Sequence, residues 1–400
     1  MKIKYATFKS KLKYSYDIEQ ARKVFINKIE DELNDTLEYT TLDDYDCDLK
    51  LIFVETGGSE GLFLDNFDCL KEPFYILTNG SNNSLAASLE ILNYIKSNGY
   101  HGEILHGDTS YISKKIKLLA LLERGKKILN NTKLGVVGKP SDWLISSIPN
   151  YDLVKEKLGV DSIDIPLSKV VDKTLKPHFS KMVIDKGFNK EELIKASNIY
   201  DSLVEIVKEY ELSGLTIRCF DLLKSLKSTS CLALGLLNKE GIVSTCEGDI
   251  ATMLSMMIVK ALTNKPSFQA NPSKIEPLSN DMVLAHCTAP FDMLKSYKLD
   301  THFESGIGVA IKGEMNLDKV TIFRLSSDLS RYYLTTGRII KNMNESDLCR
   351  TQILVHLDSD IKELLKNPCG NHQVVIYGDE SVLITEYMKT ISAKNIFSNK

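Results

Sequence analysis

Apolar and polar positions follow two alternating patterns along the first two thirds of the chain. Short apolar runs, at residues 49–54 and 73–77, end in Gly or Asn turns. Between and after them come stretches in which apolar residues recur at helical spacing, such as residues 84–98. Strand, helix and strand at these intervals predict βαβ units, and therefore parallel sheets with helices on both faces.

Two changes of pattern predict domain boundaries. A new strand-and-turn pattern begins at residue 133 and resembles the start of a second α/β domain. Beyond residue 266 the chain changes to short alternating runs separated by Gly, Asn, Asp or Pro, which is typical of an antiparallel barrel or sandwich. We therefore predict two Rossmann-like, doubly wound α/β domains, residues 1–132 and 133–266, followed by a β-rich, barrel-like C-terminal domain, residues 267–400.

A short polar strip at residues 244–249 interrupts this pattern between two apolar segments. It contains Glu247 and Asp249, and the aliphatic and Met-rich run at 250–262 predicts a helix buried on most of its circumference. Carboxylates between buried segments are costly unless they are paired, hydrogen-bonded or bound to a metal ion. We expect Glu247 to face a functional site and Asp249 to cap the following helix, where its charge suits the helix dipole.

Composition and charge narrow the classes of partner. The formal net charge of −3 gives no electrostatic reason to expect nucleic acid or an anionic membrane. No window is apolar enough for a membrane span and the N-terminus lacks a signal-peptide pattern, so a cytoplasmic location is expected. The eight cysteines are scattered without a C-x-x-C pair, which predicts reduced thiols. The glycine-containing turns lack dinucleotide and Walker spacing, so no nucleotide cofactor is predicted.

Four polar positions are candidates for a single site. They are Glu247, Asn271, His286 and His372. Two imidazoles, a carboxylate and an amide oxygen would form a mixed nitrogen and oxygen site for Mn²⁺, Fe²⁺, Co²⁺ or Zn²⁺. Taken singly, each residue also has an ordinary structural role, as a capping acid, a hydrogen-bonded core residue or a turn residue.

Five short motifs follow one another in the second half of the chain: Leu-Thr-Ile-Arg-Cys-Phe-Asp (215–221), Cys-Glu-Gly-Asp (246–249), Pro-Ser-Phe-Gln-Ala-Asn (266–271), His-Cys-Thr-Ala-Pro (286–290) and Gly-Asn-His (370–372). Together they resemble the L-fucose isomerase and L-arabinose isomerase superfamily, in its shorter fucose-isomerase-like form. The resemblance runs from about residue 133 to 379. It implies two α/β domains followed by a β-rich one, a homo-oligomer, and a small carbohydrate as substrate.

The resemblance also implies roles for the four polar positions. An acid matching Glu247 and a second acid matching Asn271 would hold a divalent ion, Mn²⁺ in the first place, with His286 and His372 as further ligands. The two acids would also move a proton in an aldose–ketose interconversion through an ene-diol, while the ion polarises the open-chain sugar.

Asn271 departs from the superfamily's pattern. Its amide oxygen can bind a metal ion or the substrate, but the amide cannot take up a proton. Asp249, Asp221 and Glu304 are candidates for the missing acid. Glu304 ranks first, because Asp249 would point away from the first acid in an extended segment. Arg218 and Asp221 are predicted either to bind the substrate or to pair with each other.

The leading hypothesis is a metal-dependent sugar isomerase in which Asn271 replaces the second catalytic acid and Glu247 is both base and metal ligand. One alternative is a non-catalytic sugar-binding or regulatory descendant of the same fold, for which the Asn substitution argues. Another is a metal-dependent lyase or epimerase, which would share the enediolate intermediate and differ in the fate of the proton.

Overall fold

Parallel sheets and a closed antiparallel barrel account for most of the strands. The structure, a computed structural model, describes residues 1–10, 15–175 and 187–397. The chain divides into two compact units, Met1–Arg124 and Gly125–Lys400.

The first unit is built on a parallel five-stranded sheet. Its strands, in the order β2-β1-β3-β4-β5, are β1 (Ile3–Phe8), β2 (Leu37–Tyr39), β3 (Leu49–Val54), β4 (Phe74–Leu77) and β5 (Gly102–Leu105). The connecting helices are α1 (Ser15–Leu33), α2 (Glu60–Asp65), α3 (Ser84–Ser97) and α4 (Thr109–Asn130), the last of which continues past the unit boundary. Every residue of β3 and β4 is buried, as expected for parallel strands covered on both faces.

The second unit begins with a parallel four-stranded sheet in the order β7-β6-β8-β9. Its strands are β6 (Lys133–Val137), β7 (Asp161–Ile165), β8 (Gly214–Ile217) and β9 (Val243–Thr245). The helices are α5 (Tyr151–Leu158), α6 (Leu167–Thr174), α7 (Lys190–Tyr210), α8 (Phe220–Ser225), α9 (Cys231–Lys239) and α10 (Ile250–Thr263). Because the strands are parallel, the turns after β6, β8 and β9 meet at one edge of the sheet.

The rest of the second unit is an antiparallel barrel. Six strands follow the order β14-β17-β10-β11-β16-β15, and pairing of β14 with β15 closes the ring. They are β10 (Phe268–Glu276), β11 (Asp281–His286), β14 (Lys319–Leu325), β15 (Arg331–Asn342), β16 (Thr351–Leu357) and β17 (Gln373–Tyr377). A separate hairpin is formed by β12 (Leu294–Asp300) and β13 (Ala310–Met315), and β18 (Lys394–Asn395) pairs with β15 in parallel. Two helices, α11 (Lys362–Lys366) and α12 (Ser381–Thr390), complete the unit.

The barrel core and α10 explain how the site is held. Apolar side chains of the barrel strands form one buried cluster that includes Phe268, Ala270, Leu284 and Ile322. Helix α10 contacts β8 and β9 on one side and β10, β14 and β17 on another. A helix covered in this way must be apolar around its circumference, and all but two of its residues are fully buried.

The predicted fold class is confirmed at the level of mixed α/β structure with parallel sheets and a C-terminal antiparallel barrel. The finer assignment of two Rossmann-like domains, with boundaries after residues 132 and 266, stays a prediction. Within the described ranges, no helix combines the length and the apolar character that crossing a bilayer requires.

Candidate metal centre

Glu247 lies in a tightly constrained turn between β9 and α10. Glu247 and Gly248 both have left-handed backbone conformations, with φ of 64° and 70°. The Gly248 amide donates to the Ile217 carbonyl at 3.0 Å, and the Ser141 amide donates to the Glu247 carbonyl at 2.9 Å. The turn is therefore bonded to the last residue of β8 and to the segment that follows β6. A non-glycine residue at φ > 0 costs of order 1–3 kcal/mol, and such strain clusters at functional sites.

Two barrel strands bring histidines to the Glu247 carboxylate. His286 is the last residue of β11, and His372 immediately precedes β17. Glu247 Oε1 lies 3.7 Å from His286 Nε2 and 3.5 Å from His372 Nε2. Candidate ligand atoms of the three residues all lie within 4.8 Å of one another. The structure thus brings together three of the four residues predicted as metal ligands.

The other nitrogen of each imidazole is fixed by an oxygen. His372 Nδ1 lies 2.7 Å from Asp249 Oδ2, and His286 Nδ1 lies 3.0 Å from the Thr288 hydroxyl. An ionised carboxylate only accepts, so His372 Nδ1 carries the hydrogen and its Nε2 faces Glu247. That Nε2 is buried and has no hydrogen-bond partner within the described part of the chain. Histidines that bind metals are commonly oriented in this way by an oxygen on the far nitrogen.

The donor set fits a divalent ion. Two imidazole nitrogens and one carboxylate oxygen suit Mn²⁺, Fe²⁺, Co²⁺ or Zn²⁺, and three protein ligands leave positions open for substrate or water. The unpartnered Nε2 of His372 is the structural observation that favours an ion, because a buried polar atom without a partner is costly. The ligand types do not select one metal among these four.

Asp249 links His372 to helix α10 and to the barrel. Its carboxylate accepts from the Thr252 amide at 2.8 Å, which confirms that Asp249 caps α10. The same carboxylate bonds Arg324 of β14 at 3.2 Å, and Arg324 also donates to Thr252 Oγ1 and, at 3.1 Å, to Ser147 Oγ. Asp249 and Arg324 are both completely buried. The ion pair between Asp249 and Arg324 therefore connects the start of α10 to the barrel, next to His372.

Burial and the neighbouring charges shift the pKa values of Asp249 and His372 in opposite directions. Burial raises the pKa of the Asp249 carboxyl, but the charge of Arg324 and the bond to His372 outweigh it, and the net pKa is well below its usual value. Burial lowers the pKa of His372, while the hydrogen bond to Asp249 and the nearby negative charge of Glu247 raise it, to about 9 overall. The two carboxylates therefore favour positive charge at this position, which also suits a bound cation.

Trp143 is a neighbour of Glu247 that the sequence did not single out. Its indole Nε1 donates to Glu247 Oε2 at 2.7 Å, across 104 positions of sequence. One signal was available, because Trp143 is the chain's single tryptophan and lies in a polar turn after a predicted strand. Arg324 was also missed, although an arginine within the apolar run 320–325 is unusual for a strand core.

Asn271 lies on β10, between β11, which ends at His286, and β17, which begins just after His372. Ala270 of β10 pairs with Gln373 of β17, and one residue further along the same register Asn271 lies opposite His372. The preceding residue on the same face, Gln269, accepts from the Cys246 amide at 2.8 Å. Asn271 is therefore placed at the border of the cluster, and its role as ligand or substrate contact stays a prediction.

The remaining predicted residues lie outside the cluster. Arg218 bonds Asp221 at 3.0 Å, Asp142 at 2.8 Å and the Pro140 carbonyl at 2.6 Å, which is the pairing alternative. Glu304 is exposed in the loop between β12 and β13. The roles of Asp221 and Glu304 as substrate contact or second acid stay predictions. A cavity of about 570 Å³ opens at the same sheet edge, with Arg218 and Asp142 in its lining.

Three known proteins that are similar to this chain carry the same name. A protein named sulfoquinovose isomerase from Priestia aryabhattai is 25% identical over 329 residues, covering 76% of this chain and 73% of the relative. A protein of the same name from Clostridium sp. (strain MSTE9) is 26% identical over 204 residues, covering 48% and 44%. A third, from Alkalicoccus urumqiensis, is 22% identical over 272 residues, covering 63% and 61%. No family model matches the chain. The similarity supports a relationship to sugar isomerases.

Proposed function

We propose that this protein is a metal-dependent sugar isomerase that interconverts an aldose and a ketose. The observation that carries the proposal is the convergence of Glu247, His286 and His372 on one point, with a buried imidazole nitrogen left unpartnered. The relatives' name supports the reaction type and makes sulfoquinovose the first substrate to test. A place in the L-fucose and L-arabinose isomerase superfamily is part of the same proposal.

Glu247 Oε1 and the Nε2 atoms of His286 and His372 would hold the ion, with Mn²⁺ as our first choice. A divalent ion at this position would polarise the carbonyl and the adjacent hydroxyl of an open-chain sugar. Asp249 and Thr288 hold the Nδ1 atoms of the two imidazoles, which would leave each Nε2 available to the ion.

Isomerisation also requires a group that moves a proton between adjacent carbons. Glu247 is the carboxylate at the centre of the cluster and is our candidate base. Asn271 would contribute its amide oxygen to the ion or to a sugar hydroxyl, because an amide does not accept a proton here. Glu304 is our candidate second acid, and its exposed loop would have to bring it to the bound sugar.

A non-catalytic sugar-binding protein is the second candidate function. Asn271, which stands on the strand between the histidines where the superfamily has an acid, favours it. This alternative predicts a ligand that binds and is not converted. A related epimerase or lyase would exchange the same proton without forming the ketose.

One experiment separates these functions. The Mn²⁺-loaded protein is incubated in D₂O with sulfoquinovose, L-fucose, L-arabinose and a panel of other aldoses, and products are followed by NMR. A ketose with deuterium incorporation supports the isomerase. Deuterium at C2 without ketose indicates an epimerase, and sugar binding without exchange indicates a binding protein. Failure of every sugar to bind or react contradicts the proposal.

Matched variants test the metal centre separately. Glu247→Gln keeps the side-chain shape but removes the charge, and we expect it to lose at least about tenfold in Mn²⁺ affinity by calorimetry. Glu304→Gln makes the same chemical change on an exposed loop and should leave metal affinity unchanged. Equal affinities of the two variants would show that Glu247 is not a ligand.

A further inference from the structure

We propose that Trp143 is a positioning residue that fixes the Glu247 carboxylate so that it offers one oxygen, Oε1, to a bound ion. The inference rests on the proposed metal-dependent function for the presence of the ion. Its tests measure a hydrogen bond and a metal affinity, and they need no sugar substrate.

The two oxygens of Glu247 have different partners. Oε2 accepts from the indole Nε1 of Trp143 at 2.7 Å. Oε1 is the oxygen that faces both histidines, at 3.7 Å from His286 Nε2 and 3.5 Å from His372 Nε2. Hydrogen bonds between a neutral N–H and a charged oxygen are short and directional. Oε2 therefore faces the indole, and Oε1 faces the histidines and the place where an ion would bind.

The turn that carries Trp143 is attached to the segment that it positions. Ser141, two residues earlier, donates its backbone amide to the Glu247 carbonyl at 2.9 Å. Gly248 packs against the same turn so closely that an added Cβ would lie 2.5 Å from the Lys139 carbonyl oxygen. The Trp143 ring also meets Phe220 edge to face, with centroids 4.9 Å apart. The indole donor and its carboxylate acceptor are therefore held at a fixed separation.

Burial does not explain the position of this tryptophan. Half of its surface, 50%, is exposed, although tryptophan is among the residues that gain most from burial. The contact with Phe220 needs only a flat ring. The hydrogen bond to Glu247 is the interaction that specifically requires an indole N–H.

The chemistry of the indole suits a positioning role. An indole N–H only donates and does not titrate in the physiological range, so its bond to the carboxylate persists across the working pH range. A carboxylate with both oxygens free can chelate an ion through both. With Oε2 engaged, Glu247 would bind an ion through one oxygen and would leave a further coordination position for the substrate.

The chain's single tryptophan makes the bond directly observable. In protein labelled with ¹⁵N-tryptophan, one indole cross-peak is expected, at the low field typical of a donor to a carboxylate. Glu247→Gln should move this peak towards the position of a solvated indole, while Glu304→Gln should leave it in place. A peak that is unaffected by Glu247→Gln overturns the proposal.

The effect on the ion is tested with two replacements that keep a flat ring. Trp143→Phe and global replacement of tryptophan by benzothienylalanine, in which sulfur takes the place of the N–H, both remove the donor. The second is nearly isosteric and changes no other residue of the chain. We expect both to weaken Mn²⁺ binding about tenfold or more in calorimetry, with unchanged thermal unfolding of the metal-free protein.

Unchanged Mn²⁺ affinity in the benzothienylalanine protein overturns the proposal even if Trp143→Phe fails to fold. The result is independent of the sugar experiment. Weakened Mn²⁺ binding together with inactivity on every sugar would uphold the role of Trp143 and reject the isomerase. Turnover with unchanged affinity would do the reverse.

Discussion

Gly248 is the residue on which the geometry of Glu247 most depends. Its φ of +70° favours glycine, and a Cβ at this position would lie 2.5 Å from the Lys139 carbonyl oxygen and 2.7 Å from Pro140 Cα. Side chains can move aside for a new methyl group, but these are backbone atoms of the turn that holds Trp143. A substitution therefore shifts either the turn or the carboxylate.

We predict that Gly248→Ala lowers both stability and metal affinity. The left-handed conformation alone costs an alanine about 1–2 kcal/mol, and the clash adds to it. The control is Gly306→Ala, because Gly306 has a φ of +66° with nothing within 4 Å of its Cβ position. Urea unfolding and Mn²⁺ calorimetry should show a conformational cost in both variants and weakened Mn²⁺ binding only at position 248. Equal metal affinities would contradict the prediction.

The buried pair of Asp249 and Arg324 gives a second prediction at this scale. Asp249→Asn leaves Arg324 buried without a carboxylate, and Arg324→Met leaves Asp249 with His372 but without the guanidinium, so each should cost about 3–5 kcal/mol. The double variant should cost much less than their sum in urea unfolding. Strict additivity would show that the pair is not coupled.

The pH dependence of this pair has a definite sign. The pKa of Asp249 is lowered in the folded chain. The stability that its ionised form contributes is therefore complete above the unfolded pKa of about 4 and is lost as pH falls towards the folded pKa. Below about pH 4 the unfolding free energy of Asp249→Asn should fall less steeply than that of the original protein.

The site residues that could be predicted from the sequence are those with a partner nearby in sequence or with a recognisable motif. Asp249 was predictable as a cap because its partner, the Thr252 amide, is three residues away. Glu247, His286 and His372 were found through residue type and motif resemblance. Trp143 and Arg324 reach their partners across 104 and 75 positions of sequence, so no local pattern announces these contacts.

Among the elements, α10 was predictable as a buried helix and its neighbours were not. The run at 250–262 has the apolar density of a helix covered on all sides, and the structure confirms it as Ile250–Thr263. The apolar segment before the polar strip, which begins at Cys231, was predicted only to be buried. Short buried helices and strands have similar patterns, and the structure shows a helix. Which faces α10 meets depends on tertiary contacts with the sheet and the barrel.

A serine links α10 to the barrel and provides the prediction for this scale. Ser255 Oγ accepts from the Leu325 amide of β14 at 3.0 Å and donates to the Ala251 carbonyl. Ser255→Ala would leave a buried amide unpaired, so we expect a loss of about 1–2 kcal/mol in unfolding free energy.

Ser225→Ala is the matched control. Ser225 also bonds the carbonyl four residues earlier, that of Asp221, but it is exposed. Its replacement should change the unfolding free energy by less than about 0.5 kcal/mol. Similar costs at both positions would mean that the link to β14 contributes nothing.

At the scale of the whole molecule, the sequence indicated a β-rich C-terminal part without deciding between barrel and sandwich. Short alternating strands are common to both. Closure depends on one pairing, β14 with β15, whose strands are also neighbours in sequence and would form a hairpin in either architecture. The division of the chain into Met1–Arg124 and Gly125–Lys400 depends on which residues pack together in the folded chain, and a linear pattern does not show this.

All three candidate ligands belong to the second unit, and metal binding should therefore stabilise the units unequally. An ion that binds only the native state, at a free concentration of about a hundred times its dissociation constant, raises the unfolding free energy by about 2.7 kcal/mol. We expect Mn²⁺ to slow amide hydrogen exchange in α10, β11 and β17 and to leave β1 and β3 unchanged. The same experiment on Glu247→Gln should show no slowing. Equal protection of both units would contradict the prediction.

The closed barrel also limits how this site can evolve. In a closed ring of six strands, none can slide by a residue without disturbing its two neighbours, so the spacing of the histidine-bearing strands is inherited with the fold. New donor sets must then arise by point substitution on fixed positions. Asn271, on the strand between them, is a single nucleotide change away from aspartate. Descendants of one scaffold can thus gain or lose an acid while every strand stays in place.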